Sequence, residues 1–187
     1  MRAFIAIEVP KDVKENIGGI IEKMKKFDAK VKWVKPENLH VTLKFLGEVQ
    51  ERYIGNLASL TEDALKGKSS FEVHFGGTGS FPGGKNPRVI WIGTSKGWER
   101  EKELAESIDE KLSKAGYEKE EREFSSHMTI GRVKERRNIE ALLKALDEEK
   151  DKEFGSTIVD HVNIMKSTLT TKGPIYEVIK KIDLVKS

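Results

Sequence analysis

The 187-residue sequence has no cysteine, which excludes disulfides and every zinc site built on thiolates. Long apolar runs are also missing: nothing approaches the roughly 20 residues needed to span a bilayer. The opening MRAFIAIEVP is interrupted by Glu8 and Pro10. It reads as a first strand rather than a secretory signal, which needs a longer apolar stretch and a small-residue cleavage site, and a cytoplasmic location is the resulting expectation. No G-x-G-x-x-G and no P-loop stands at a strand end, against a doubly wound nucleotide-binding sheet. Nor does one sign of charge dominate, with 34 Lys and Arg against 31 Asp and Glu, a net charge of +3. That balance permits a polyanionic partner without requiring one, because nucleic-acid binding depends on a local basic patch. Charged residues still make up 35% of the chain, and this density of both signs fits the bias of heat-adapted proteins.

What is present repeats itself. An offset of 87 places His40 on His127, Thr42 on Thr129 and Leu43 on Ile130. It also aligns Phe4 with Trp91, Ile5 with Ile92, Ile17 with Leu104, Ile21 with Ile108, His74 with His161 and Pro87 with Pro174. The joint register indicates two copies of one unit, about 1–87 and 88–187, within a single domain spanning 1–187.

Each copy opens with an apolar run, Phe4–Val9 or Val89–Ile92, that reads as a buried strand. A helical stripe follows: Val13, Ile17, Ile20, Ile21 and Met24 within Asp12–Phe27, and Leu104, Ile108 and Leu112 within Glu99–Ala115. Pro10 marks the start of the first helix, and Gly116 closes the second as a C-terminal cap. The segments HVTLKFLG (from His40) and HMTIGR (from His127) are short, apolar or β-branched, and read as strands. Second helices come next, over Glu51–Leu65 and Ile139–Glu149, and then extended segments, Phe71–Phe75 and Thr157–Met165. The Gly- and Pro-rich stretch Gly76–Pro87 reads as the loop joining the copies. Alternation of this kind gives a layered arrangement of sheets and helices.

On a strand, residues i and i+2 share a face. His40 and Thr42 therefore present an imidazole beside a hydroxyl, as do His127 and Thr129. Nine of the residues are threonine, so a given histidine has one two places on with a probability of about 0.05, and two hits among four histidines arise by chance at roughly 0.015. The matched pairs suit a phosphodiester. One histidine removes a proton from the attacking oxygen and the other protonates the leaving oxygen, while the threonine hydroxyls donate to the non-bridging oxygens.

The double H-x-T-[apolar] pattern resembles the 2H phosphoesterase superfamily, and within it the RNA 2′,3′-cyclic phosphodiesterases, also called 2′-5′ RNA ligases. The resemblance covers the whole chain, including MRAFIAIEVP, the segment from Phe81 to Ile92 and that from Ile164 to Val178. It implies a bilobal, pseudo-twofold α+β fold, with mostly antiparallel sheets flanked by helices around a cleft. One lobe would carry both termini, so the sequence repeats need not coincide with the lobes. The mechanism would need no metal and no cofactor. Carried over by position, His40 resembles the proton donor, His127 the proton acceptor, and Thr42 and Thr129 the phosphate contacts. The implied partner is an RNA with a 2′,3′-cyclic phosphate end, tRNA-derived ends among the candidates, acted on by a monomer away from membranes.

Arg132 resembles an arginine frequent at this place in the family and would pair with phosphate. Strand parity instead puts Gly131 on the face of His127 and Thr129, and a bulge at Gly131 would be needed to re-aim Arg132. His74 and His161 lack the threonine two places on and read as structural. Trp91 reads as core, Phe81 as a loop residue able to stack on a base, Trp33 as either, and Glu22–Lys26 as a solvated helix face. Three functions fit: hydrolysis of a 2′,3′-cyclic phosphate to a 2′-phosphate, the reverse-type 2′-5′ ligation at the same site, and a non-catalytic RNA-binding module. A metal hydrolase fits less well, because neither histidine has a carboxylate or thiolate at ligand spacing.

Overall fold

The computed structural model describes all 187 residues. Nine strands and four helices follow one another as β1 (Arg2–Glu8), α1 (Lys11–Lys25), β2 (Val31–Trp33), β3 (His40–Glu48), α2 (Ile54–Leu65), β4 (Phe71–Phe81), β5 (Val89–Lys96), α3 (Trp98–Lys114), β6 (His127–Val133), α4 (Ile139–Glu148), β7 (Glu153–Val159), β8 (His161–Thr170) and β9 (Gly173–Asp183). They form two antiparallel sheets, ordered β3-β1-β8-β9 and β2-β6-β5-β4-β7. No helix is long and apolar enough to cross a membrane.

The offset of 87 organises these sheets. It carries β3, β1 and the His161 strand β8 onto β6, β5 and the His74 strand β4, so the first sheet's order maps onto β6-β5-β4-β7, with β2 added at the edge. The first sheet nevertheless takes β1 and β3 from one copy and β8 and β9 from the other. Each sheet is therefore built from both halves, and the first holds both chain ends.

Each helix buries the stripe its periodicity marks. Val13, Ile17, Ile20, Ile21 and Met24 of α1 are all buried, as are Leu104, Ile108 and Leu112 of α3. Removing such side chains from water contributes about 1.5–3 kcal/mol each. α2 and α3 pack on each other and on the first sheet, while α1 and α4 lie against β7 and β4 of the second. Gly116 ends α3 at φ +95°, a conformation that favours glycine.

Several elements differ from the sequence reading. The helix read over Glu51–Leu65 begins as a single 3-10 turn, Glu51–Tyr53, before α2. The segment read as one strand over Thr157–Met165 breaks at Asp160 into β7 and β8. β9 carries an uneven mixture of apolar and charged residues along an edge, so its period-2 signal is weak. Finally, the stretch taken as a loop from Gly76 is strand as far as Phe81. Its glycines admit close neighbours rather than breaking the strand: a Cβ at Gly79 would lie 2.1 Å from the Trp91 ring.

Candidate active site

β3 and β6 carry the two histidines at the same place, and they follow the same burial pattern over their first six residues: half-buried, buried, half-buried, buried, buried, exposed. His40 and Thr42 are the half-buried pair on β3, His127 and Thr129 on β6. Val41 and Met128 between them point into the core. Across the sheets, His40 stands opposite Glu8 and Thr42 opposite Ala6, while Thr129 stands opposite Trp91. Directly opposed residues share a face, so both His-x-Thr pairs lie on the faces away from the helices. β3 and β6 lie in contact where the two sheets meet.

Both imidazoles are held by the same device. His40 Nδ1 lies 2.8 Å from the carbonyl of Asn38, and His127 Nδ1 lies 2.7 Å from the carbonyl of Ser125. A carbonyl can only accept, so Nδ1 carries the proton of the neutral ring and Nε2 is left free for chemistry. The ring of His40 packs on Phe4 at 4.7 Å and meets Tyr176 edge-on at 5.1 Å. Phe81 meets His127 edge-on at 5.1 Å. Burial lowers the His40 pKa, the Asn38 hydrogen bond opposes this, and the charge of Lys14 lowers it further.

The register sets the face of Arg132. On β6, Thr129 pairs with Trp91 and Gly131 with Ile90, leaving Ile130 as an extra residue. This bulge lies one residue before the position that sequence reasoning required, and it reverses the parity beyond it. Gly131 turns inward, where a Cβ would lie 2.8 Å from Val31 and 2.9 Å from Trp33. Arg132, opposite Val89 and Lys32, is exposed on the face of His127 and Thr129. The parity argument against it fails for this reason. β3 has the matching bulge at Leu43, which pairs Thr42 with Ala6 and Lys44 with Ile5. There Lys44 is buried against Asp109 at 2.6 Å, and Phe45, the counterpart of Arg132, is 68% exposed on the histidine face.

Trp91 is not core: it is half-buried and shares the face of Thr129, its ring over Gly79 and 5.3 Å from Phe81. Phe81 ends a strand instead of sitting in a loop. Trp33 packs inward beside Gly131. His161 is held between Asp160 at 2.5 Å and Glu8 at 3.3 Å, and His74 bonds Glu72. Glu22 and Lys25 pair on the exposed side of α1. No three His, Asp or Glu side chains gather as a metal-binding set.

Tyr176 belongs to the site, but sequence reasoning gave it no role. It meets His40, and burial raises its phenol pKa while the charges of Arg132 and Arg2 pull it down. Arg132 of the second sheet therefore acts on a side chain of the first. The only signal for Tyr176 was its place in the closing G-P-I-Y-E-V segment.

A pseudo-twofold α+β chain with one His-x-Thr strand in each sheet has the build of a 2H phosphoesterase. The family model of the 2′-5′ RNA ligase superfamily matches residues 10–170, and the chain belongs to that superfamily. It is 41% identical over 181 residues to the RNA 2′,3′-cyclic phosphodiesterase of Methanocaldococcus jannaschii, covering 97% of this chain and 99% of that one. With the protein of the same name from Methanothermobacter thermautotrophicus it shares 38% over 176 residues, 94% and 95% of the two chains. The crystal structure of TT0787 of Thermus thermophilus superposes with a TM-score of 0.80 at 26% identity over the full length of both. E. coli LigT complexed with 3′-AMP has the same fold, with a TM-score of 0.80 at 24% identity over 98% and 97% of the chains.

Proposed function

We propose that this chain hydrolyses RNA 2′,3′-cyclic phosphate ends to 2′-phosphates, with His40 and His127 as its paired proton donor and acceptor. The observation that carries this reading is the matched anchoring of the two rings, each by Nδ1 on the carbonyl two residues back, each with Nε2 free. Relatives named for that activity at 38–41% identity over nearly the whole chain support the substrate class.

In the step itself, His127 takes a proton from water as the water oxygen attacks phosphorus. The 3′-oxygen leaves with a proton from His40, and the 2′-ester remains. Thr42 and Thr129 donate to the non-bridging oxygens, and Arg132 supplies a fixed positive charge beside them. Burial and Lys14 favour the neutral form of His40 in the free protein. The anionic phosphate favours its protonated form, so the donor is charged on binding. Both histidines come from one chain, consistent with a monomer as the working unit; tRNA-derived ends are one source of substrate.

The superfamily's name favours one second reading, 2′-5′ ligation, in which an RNA 5′-hydroxyl takes the place of water at the same acid and base. Product analysis on an RNA ending in a 2′,3′-cyclic phosphate tests the assignment. A 2′-phosphate end is expected. A 3′-phosphate, or no turnover, overturns it, and adding an RNA with a 5′-hydroxyl measures how much product is ligated instead.

A further inference from the structure

Behind the His127 strand lies a carboxyl that the acid–base pair does not use. Glu101, in the first turn of α3, is fully buried. One of its oxygens accepts a short hydrogen bond from the Ser126 hydroxyl, and Ser126 Oγ lies 2.7 Å from Thr94 Oγ1. The other oxygen is buried with no partner. Burial pushes the Glu101 carboxyl up to about 7, against the pull of the two hydroxyls. An isolated carboxyl with an unpartnered oxygen disfavours folding, and an apolar side chain of similar size would pack there more easily. The residue therefore needs a reason other than stability.

Its position supplies one. Ser126 stands between Ser125, whose carbonyl holds His127 Nδ1, and His127 itself. The ten residues before His127, 117–126, contain no helix or strand, so nothing regular fixes that carbonyl. At the first site the corresponding residue is Leu39, only 3% exposed and anchored by the core. The residue that corresponds to Glu101 under the offset of 87 is Lys14, and it too reaches the segment before its histidine, at 3.2 Å from the Glu37 carbonyl. Where the first copy uses an apolar anchor, the second ties a serine to a carboxylate.

We infer that Glu101, acting through Ser126, is a positioning residue that aims the Ser125 carbonyl and so fixes the tautomer and direction of the His127 ring. The inference rests on the two-histidine reading for its effect on turnover, but its effect on the ring can be measured without turnover.

Glu101→Leu, Glu101→Gln and Ser126→Ala are compared with His127→Ala in the full-length protein, by steady-state kinetics on the cyclic phosphate RNA, by thermal melting and by 15N NMR of the His127 ring. Glu101→Leu is expected to lower kcat about tenfold or more, with KM little changed and a melting temperature no lower than that of the parent. Its His127 ring is expected to exchange between tautomers instead of holding the proton on Nδ1. Glu101→Gln keeps an acceptor for Ser126 and recovers most of kcat. Ser126→Ala cuts the link with Glu101 in place, so it gives the same ring signature and loss of kcat even if Glu101→Leu folds poorly. A fixed Nδ1–H ring in both Glu101→Leu and Ser126→Ala overturns the inference, whatever the kinetics. If His127→Ala keeps full turnover while the ring loosens in both variants, the two-histidine reading fails and the positioning role stands.

Discussion

Arg132 and Phe45 occupy the same station on the two His-x-Thr strands, each turned onto the histidine face by a bulge two residues before it. The pseudo-twofold site is thus chemically asymmetric, with a cation on one wall and a 68% exposed aromatic on the other. On the proposed reading, a phosphate would sit beside the first and an unstacked base beside the second. Arg132→Ala is expected to lower kcat/KM about 10–100-fold, since it removes a charge-assisted contact to the phosphate. Phe45→Ala is expected to raise KM about 5–150-fold with kcat nearly kept, matching about 1–3 kcal/mol of stacking. Equal kcat/KM for Arg132→Ala and the parent would remove Arg132 from the site.

His40→Ala and His127→Ala are each expected to reduce turnover by about 10²–10⁴-fold, because each removes a proton transfer from one step. The double variant is expected to be little worse than the worse single one, as the two groups act together. Near-normal turnover in either single variant would count against the pair. Melting curves of the three variants check that the losses are not unfolding.

How much of this was readable in the sequence follows from the range of each signal. The shared face of His40 with Thr42, and of His127 with Thr129, was legible because period 2 is local and the offset of 87 repeats it. The helix stripes were legible for the same reason. The orientation of Arg132 was not, because the extra residue at Ile130 exists only relative to β5, a strand on which the sequence of β6 carries no information. Trp91 read as core because a strand's two faces are both apolar there; only Gly79 opposite, with no Cβ, shows where its ring lies. The exchange of strands between copies was likewise invisible to local pattern, since either sheet buries β8 equally well. Glu101 looked like one charge among many on a helix whose first turn favours acids.

The rate should pass through a maximum with pH, with both limbs assigned to the histidine pair rather than to single residues. In the free protein the His40 pKa is lowered, chiefly by burial. The kcat/KM profile, which reports free enzyme, is therefore expected to be displaced toward lower pH. Bound phosphate favours the imidazolium, so the kcat profile is expected at higher pH than the kcat/KM profile. Coincident kcat and kcat/KM profiles would mean that the phosphate does not reach His40.

Turnover is expected to survive EDTA in full, because in the proposed mechanism side chains supply both the acid and the base, and the threonines and Arg132 would contact the non-bridging oxygens. The assay compares initial rates before and after chelation. Loss of activity restored by one particular metal would reverse the conclusion.

The division of labour between the histidines can be separated by changing a single atom. With a 3′-oxygen leaving group, departure of the alkoxide needs a proton, which the proposed mechanism assigns to His40. Replacing that bridging oxygen by sulfur gives a thiolate, which departs unprotonated because the pKa of a thiol is only about 8.5. On that substrate His40→Ala is expected to regain most of its lost rate, while His127→Ala, still unable to take the proton from water, stays impaired. The lowered pKa of His40 makes this comparison decisive, since a ring that stays neutral when substrate binds would act as the base. Rescue of His127→Ala alone would exchange the two roles and leave the paired mechanism in place. Rescue of neither would mean that the histidines bind and orient the phosphate rather than move protons.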